Sequence, residues 1–205
     1  MKKVILLGDS IRMMGYGDAV AQALSEDFQV WQPSENCRSA QHTLRGLFDW
    51  REDLNGADIV HWNNGHWDLC NLFGDGNFTP IDRYVEEMVR IATLLKAQAK
   101  TVIFATTTPV RPENRYNKNS DVERYNQALI PRLKEMGIEI NDLYTPLSRD
   151  IPRYICNDLI HLSEEGLSLC AQYVEQAIRA AAKNLPEEDP EIASAEGSGE
   201  SGAPI

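Results

Sequence analysis

Long hydrophobic runs are missing from this chain of 205 residues. No stretch approaches the ~20 apolar residues that a membrane-spanning helix requires. The first apolar run stops at Gly8, short of the roughly 7–15 residues of a signal-peptide core, and no small-residue cleavage site follows it. A basic stripe is missing too. Lys and Arg number 20 against 31 Asp and Glu, for a formal charge of −11. Displacing counterions from nucleic acid or an anionic membrane needs clustered cations, so neither is an expected partner. The four cysteines, Cys37, Cys70, Cys156 and Cys170, include no Cys-x-x-Cys pair. A chain of this length can bury a core without a disulfide framework, so they read as thiols in a reducing compartment, and the expected location is cytoplasmic. No Gly-x-Gly-x-x-Gly or Walker-type loop follows the first apolar run, which disfavours a nucleotide- or flavin-binding module.

Acidic residues are unevenly spread. The stretch 186–205 holds Glu187, Glu188, Asp189, Glu191, Glu196 and Glu200 and no Lys or Arg, so removing these six charges leaves −5 on the rest. That stretch has too little apolar surface to offset its ordering entropy. Residues 1–184 are expected to form one domain and 185–205 a disordered acidic tail. A mildly acidic body suits a small, neutral substrate; the oligomeric state is not legible.

What the chain does have is alternation. Apolar runs at 3–7, 28–31, 58–62, 101–106 and 138–140 read as buried strands, and amphipathic stretches at 17–25, 40–50, 81–97, 122–135 and 163–182 read as helices. Repeated βα units imply a parallel sheet with helices on both faces and right-handed crossovers. An α/β fold follows, a three-layer α/β/α sandwich on a five-stranded parallel sheet. Ser163 can cap the last helix, with Glu164 and Glu165 in the first turn where the helix dipole favours acids.

Two short motifs carry the chemistry. Gly8-Asp9-Ser10 sits where the first strand ends, and Asp158-x-x-His161 sits just before the last helix. Ligands bind outside the carboxyl ends of the strands in open α/β sheets, so Ser10 occupies a position from which a hydroxyl can meet substrate. A serine hydroxyl needs a base to take its proton, and the base needs a carboxylate to fix its tautomer. His161 and Asp158 fit those roles. Each motif is common as a turn or a capping segment when taken alone; their joint placement gives them weight.

With both motifs in view, residues 3–182 resemble the SGNH hydrolases, or GDSL-type esterases. Gly8-Asp9-Ser10-Ile11 is similar to the first block of that family and Asp158-x-x-His161 to its last. The resemblance implies a flavodoxin-like sandwich, Ser10 as nucleophile with Asp158 and His161 completing a triad, and no cofactor. The middle blocks depart from the pattern. Cys37, in Glu35-Asn36-Cys37-Arg38-Ser39, stands where the family has a glycine whose N–H serves the oxyanion hole, and Trp67, in Asn63-Asn64-Gly65-His66-Trp67-Asp68, stands where it has a donating asparagine. An indole can donate only from its ring nitrogen. The expected oxyanion donors are therefore the N–H groups of Ser10 and Cys37 with the Asn63 amide; Asn64 is the alternative and Asn36 a third. Asp9, Asn36, Trp67 and Arg111 are candidates to contact substrate.

The resemblance points to hydrolysis of short acyl esters, with an O-acetyl group on a saccharide favoured. A catalytically weak carbohydrate- or protein-binding module and a short-chain thioesterase or lipase-like hydrolase stay open as alternatives. His61, His66, Asp68, Asp158 and His161 invite a metal, but their spacing matches no recognised ligand set, and none is expected. Trp50, Trp62 and Trp67 could stack on sugar, although tryptophan more often fills a core. The polar loop 109–120 contains no greasy cover, which weighs against a true lipase.

Overall fold

Strict alternation of side chains along three central strands divides the molecule into its layers. The structure, a computed structural model, describes residues 1–186; the acidic stretch from 187 onward lies outside the described residues. The strands are β1 (Lys2–Leu7), β2 (Phe28–Trp31), β3 (Ala57–Trp62), β4 (Ala99–Ala105) and β5 (Glu139–Asn141), all parallel in the order β2-β1-β3-β4-β5. Val4 and Leu6 of β1, Ile59 of β3 and Ile103 and Ala105 of β4 enter one core, while Ile5 and Leu7, Val60 and Trp62, and Val102 and Phe104 enter the other.

Helices α1 (Gly17–Leu24) and α9 (Glu164–Asn184) cover the first face, placing Val20, Leu24, Val174 and Ile178 against it. The second face is covered by α2 (Ala40–Asp49), α5 (Ile81–Lys96) and α6 (Asn119–Glu135), through Leu47, Met88, Ile91, Tyr125 and Leu129. The five expected strands and five expected helices are all present, within a few residues of their expected bounds. β4 begins earlier than its apolar run, because Lys100 reaches the Asp58 carboxylate on β3 at 2.7 Å. Periodicity missed a π-helical turn, Arg12–Tyr16, directly after Ser10, and the short helices α3 (Arg51–Leu54), α4 (His66–Leu69), α7 (Tyr144–Ser148) and α8 (Ile151–Tyr154). Segments of four or five residues are too short to show a period. Among the described residues no helix is long and apolar enough to cross a membrane.

The strand order reverses direction at β1 and β3, so the crevice at their carboxyl ends is the switch point where this kind of sheet binds ligands. Directly under it, on the α9 side, His61 is fully buried with Nε2 accepting from Asn141 Nδ2 at 3.1 Å and its ring edge-on to Tyr16. Burial pushes the imidazole down to about 3. Below about pH 6.5 the unfolded chain takes up a proton at this position that the folded protein refuses, so stability is lost as pH falls from 6.5 toward 3. His61→Gln keeps an acceptor for Asn141 and removes that proton. The stability difference, wild type minus variant, should fall by roughly 1.4 kcal/mol per pH unit across that window. Urea denaturation at pH 7, 6, 5 and 4 measures it, and parallel pH profiles would contradict the assignment.

Candidate active site

The Ser10 end of the site is built around a carboxyl group taken out of water. After β1, the chain at Gly8 passes so close to its neighbours that a Cβ would stand 2.0 Å from Asn63 Oδ1 and 2.7 Å from Arg12 Cβ, which only glycine tolerates. Asp9 is fully buried; its Oδ1 accepts the Ile11 N–H at 2.9 Å and Asn63 Nδ2 at 2.8 Å, and its carbonyl accepts from Arg12 and Met13. Burial pushes the Asp9 carboxyl up, against those two hydrogen bonds and the charges of His161 and Arg12. Asp9 thereby starts a helical turn with Ser10 in its first position, where a backbone N–H has no partner within the helix. Tyr16 donates its hydroxyl to Asn63 Oδ1 at 2.9 Å. Arg12, also buried, donates to the carbonyls of Gly8, Pro33 and Glu35, tying the loop after β2 to the nucleophile turn.

The other end comes from the segment between α8 and α9. Asp158 Oδ1 accepts the N–H groups of Ile160 (3.1 Å) and His161 (2.9 Å), and Oδ2 lies 2.7 Å from His161 Nδ1. His161 Nε2 lies 2.9 Å from Ser10 Oγ. Partial burial raises the Asp158 carboxyl, but hydrogen bonds from Cys156, Ile160 and His161 outweigh it and hold the group well below the usual carboxylate range. An ionised carboxylate only accepts, so His161 carries its proton on Nδ1 and turns a lone pair toward the serine hydroxyl. Leu159, between Asp and His, adopts φ 78°, a left-handed conformation that costs a non-glycine residue of order 1–2 kcal/mol. It lets residues 160 and 161 fold back over the Asp158 side chain.

Several expected site residues are placed differently. The Cys37 N–H donates to Gly8 O at 3.0 Å, and its buried thiol accepts the Gly8 N–H at 3.3 Å, so Cys37 closes the loop onto β1 and offers no free donor. Asn63 donates to Asp9 and accepts from Tyr16, which makes it a brace for Asp9. Asn64 accepts from Thr43 and Trp62 and donates to Arg38 O, fully buried on the α2 side. Alternation at the end of β3 sends these two side chains into opposite layers, where polar partners already wait. Asp9 is too deep to touch substrate. Arg111 is also engaged: its Nε donates to Ile155 O (2.7 Å), its Nη2 to Pro152 O (2.8 Å) and its N–H to Leu159 O (3.0 Å). Trp50 and Trp62 are core residues.

Ser10 and His161 open onto a hollow of about 350 Å³ whose other walls are Met14, Asn36, His66, Trp67, Cys70, Leu72 and Ile160. His66 was not anticipated there. Its Nε2 lies 3.0 Å from Thr108 Oγ1, Asn117 Nδ2 lies 3.4 Å from its Nδ1, and burial pushes it down to about 3, so it stays neutral. Trp67 is 43% exposed, with the Arg38 guanidinium over its ring. Beside the hollow, the loop 70–79 presents Leu72, Phe73 (81% exposed) and Phe78, closed at its base by Phe78 N–H to Cys70 O. Exposed apolar side chains near the site thus come from loop 70–79, while loop 109–120 is polar as expected. Among the described residues no group of three or more His, Cys, Asp or Glu side chains could hold a metal ion.

No family model and no curated relative matches the chain. Solved structures do. A lipase/acylhydrolase from Enterococcus faecalis superposes with a TM-score of 0.75 at 17% identity, over 88% of this chain and 96% of that one. The acetyl xylan esterase AlAXEase gives 0.73 at 18% identity, over 86% and 99%. A member of the lipolytic G-D-S-L family from Veillonella parvula gives 0.71 at 19% identity, over 86% and 97%. This protein has the three-layer α/β/α fold of the SGNH, or GDSL-type, hydrolases, as the two motifs implied.

The Arg111 guanidinium holds the Pro152 and Ile155 carbonyls, both ahead of Asp158, while its backbone N–H holds Leu159 O beyond it. Arg111→Ala should cost about 1.5–3 kcal/mol, the range for hydrogen bonds from a charged donor. Arg111→Lys should recover only part of this, because an ammonium cannot fork to two carbonyls as a guanidinium does. Urea denaturation of the three proteins measures both effects, and equal stabilities would contradict the clamp.

Proposed function

We propose that this protein is a carboxylic ester hydrolase using Ser10 as nucleophile, His161 as general base and acid, and Asp158 as the orienting carboxylate. The observation that carries this reading is the unbroken line of hydrogen-bonding distances, 2.9 Å from Ser10 Oγ to His161 Nε2 and 2.7 Å from His161 Nδ1 to Asp158. Ser10 Oγ attacks the ester carbonyl as Nε2 takes its proton, and Asp158 stabilises the imidazolium that forms. The negative charge on the carbonyl oxygen is received by the Ser10 N–H at the start of its helical turn and by Asn36 on the adjacent wall. His161 returns the proton to the departing alcohol. It then deprotonates a water molecule that attacks the acyl-enzyme and releases the acid. The residues alone supply every step, with no cofactor.

The substrate in this reading is a short acyl ester. A saccharide as its alcohol draws support from solved neighbours named acetyl xylan esterases and from the half-exposed Trp67 indole at the mouth. A binding protein without turnover, the other class considered, does not account for an oriented base set against a serine hydroxyl. Ser10→Ala should lower kcat for 4-nitrophenyl acetate and acetylated oligosaccharides by on the order of 10³-fold or more, leaving stability nearly unchanged. Undiminished turnover in the variant would remove Ser10 from the mechanism, and a folded wild type inert toward every ester would favour the binding reading.

A further inference from the structure

The hollow beside Ser10 is polar at the reacting groups and apolar elsewhere. Met14, Trp67, Leu72 and Ile160 supply carbon surface, with the Cys70 thiol between them. Apart from Ser10, His161 and Asn36, which serve the reacting carbonyl in the reading above, the polar side chains expected to contact substrate are engaged with protein. Asn63 and Asn64 are bonded into the layers on either side of the sheet, the Arg111 guanidinium holds two carbonyls, and the His66 ring lies between Thr108 and Asn117. A sugar pushed into this space would lose water from its hydroxyls and gain almost nothing in return.

From these walls, and resting on the serine-esterase reading above, we infer that the hollow is an acyl pocket selecting an apolar chain of about four to eight carbons. The alcohol then lies toward the Trp67 mouth and solvent. Size agrees with this. A carbon with its hydrogens fills about the space of a water molecule, ~30 Å³, so a two-carbon acetyl group leaves most of the 350 Å³ wet against apolar walls. A six-carbon chain covers them and still leaves room for the reacting ester. Leu72 is 46% exposed in this structure, and a chain lying along it removes its surface and its neighbours' from water. Each added methylene should raise kcat/KM about fourfold until the walls are covered, the equivalent of one CH₂ transferred out of water.

The test is a series of 4-nitrophenyl acetate, butyrate, hexanoate, octanoate and dodecanoate, with wild type, Leu72→Asp and Ser10→Ala, beside a second series of acetates of ethyl, butyl and hexyl alcohol. The wild type should prefer hexanoate over acetate by at least tenfold in kcat/KM, with dodecanoate falling away. Leu72→Asp, at an exposed loop position, should collapse the hexanoate-to-acetate ratio by tenfold or more. Acetate as the best acyl group, a ratio unmoved by Leu72→Asp, or a preference that rises along the alcohol series would each overturn the acyl pocket while leaving the esterase standing. Full activity in Ser10→Ala, or a wild type inert toward both series, would overturn the serine-esterase reading itself and the pocket assignment with it.

Discussion

A carboxyl group removed from water must find partners, and the burial of Asp9 is the constraint around which the site is arranged. Its Oδ1 joins two parts of the fold, the Ile11 N–H of its own turn and the Asn63 amide at the end of β3. Asn63 in turn needs the Tyr16 hydroxyl, which fixes the π-helical turn against the sheet. These bonds hold β1 and β3 together where the strand order reverses, and Ser10 is the next residue along. Its position at the start of a helical turn is thus set by the partners that Asp9 requires.

The opposite half is held by different means. Asp158 and His161 come from a segment without regular structure, whose geometry depends on a left-handed Leu159. Such a conformation persists only where surrounding bonds over-determine it. Here they are the Arg111 fork, the Arg111 N–H on Leu159 O, the Cys156 N–H on His161 O, and the bridge between Ile155 and Leu162. Ser163, capping α9 through Gly166, then anchors the segment to the helix that covers one face of the sheet. Ser10 sits on the half fixed by buried bonds and His161 on the braced half, and they meet across 151 positions of sequence.

Ser10, Asp158 and His161 were legible because their types and their places beside predicted elements are local properties of the sequence. The layered fold was legible for the same reason, since a period of two or 3.6 residues is visible in a short window. The bonding of Cys37 and Asn63, the residues expected as oxyanion donors, was not. Whether Cys37 offers its N–H to substrate or to Gly8 depends on how the loop after β2 lies against β1, and no residue type reports that distance. Arg12 falls between the expected first strand and first helix, and no motif marks it. Its role comes from three carbonyls, two of them more than 20 positions away, so only the folded chain reveals it.

The segment 63–68, which departs from the family pattern, ties these points together. Gly65 stands at φ 150°, where a Cβ would lie 2.1 Å from Thr107 Oγ1, and the buried Asp68 accepts the Ala40 N–H at the start of α2 and the Thr79 hydroxyl. Gly65 and Asp68 are therefore needed to hold the end of β3, α2 and the loop 70–79 in place, whatever stands between them. Trp67 carries no such duty. Placing an indole there exchanges a polar donor for apolar wall at the mouth of the hollow, and Cys37 is turned inward on the other side. Trp67, Met14, Leu72 and Ile160 together supply the carbon surface around Ser10. Under the proposed esterase reading, a wall of this composition discriminates between substrates mainly by the area of carbon it can cover.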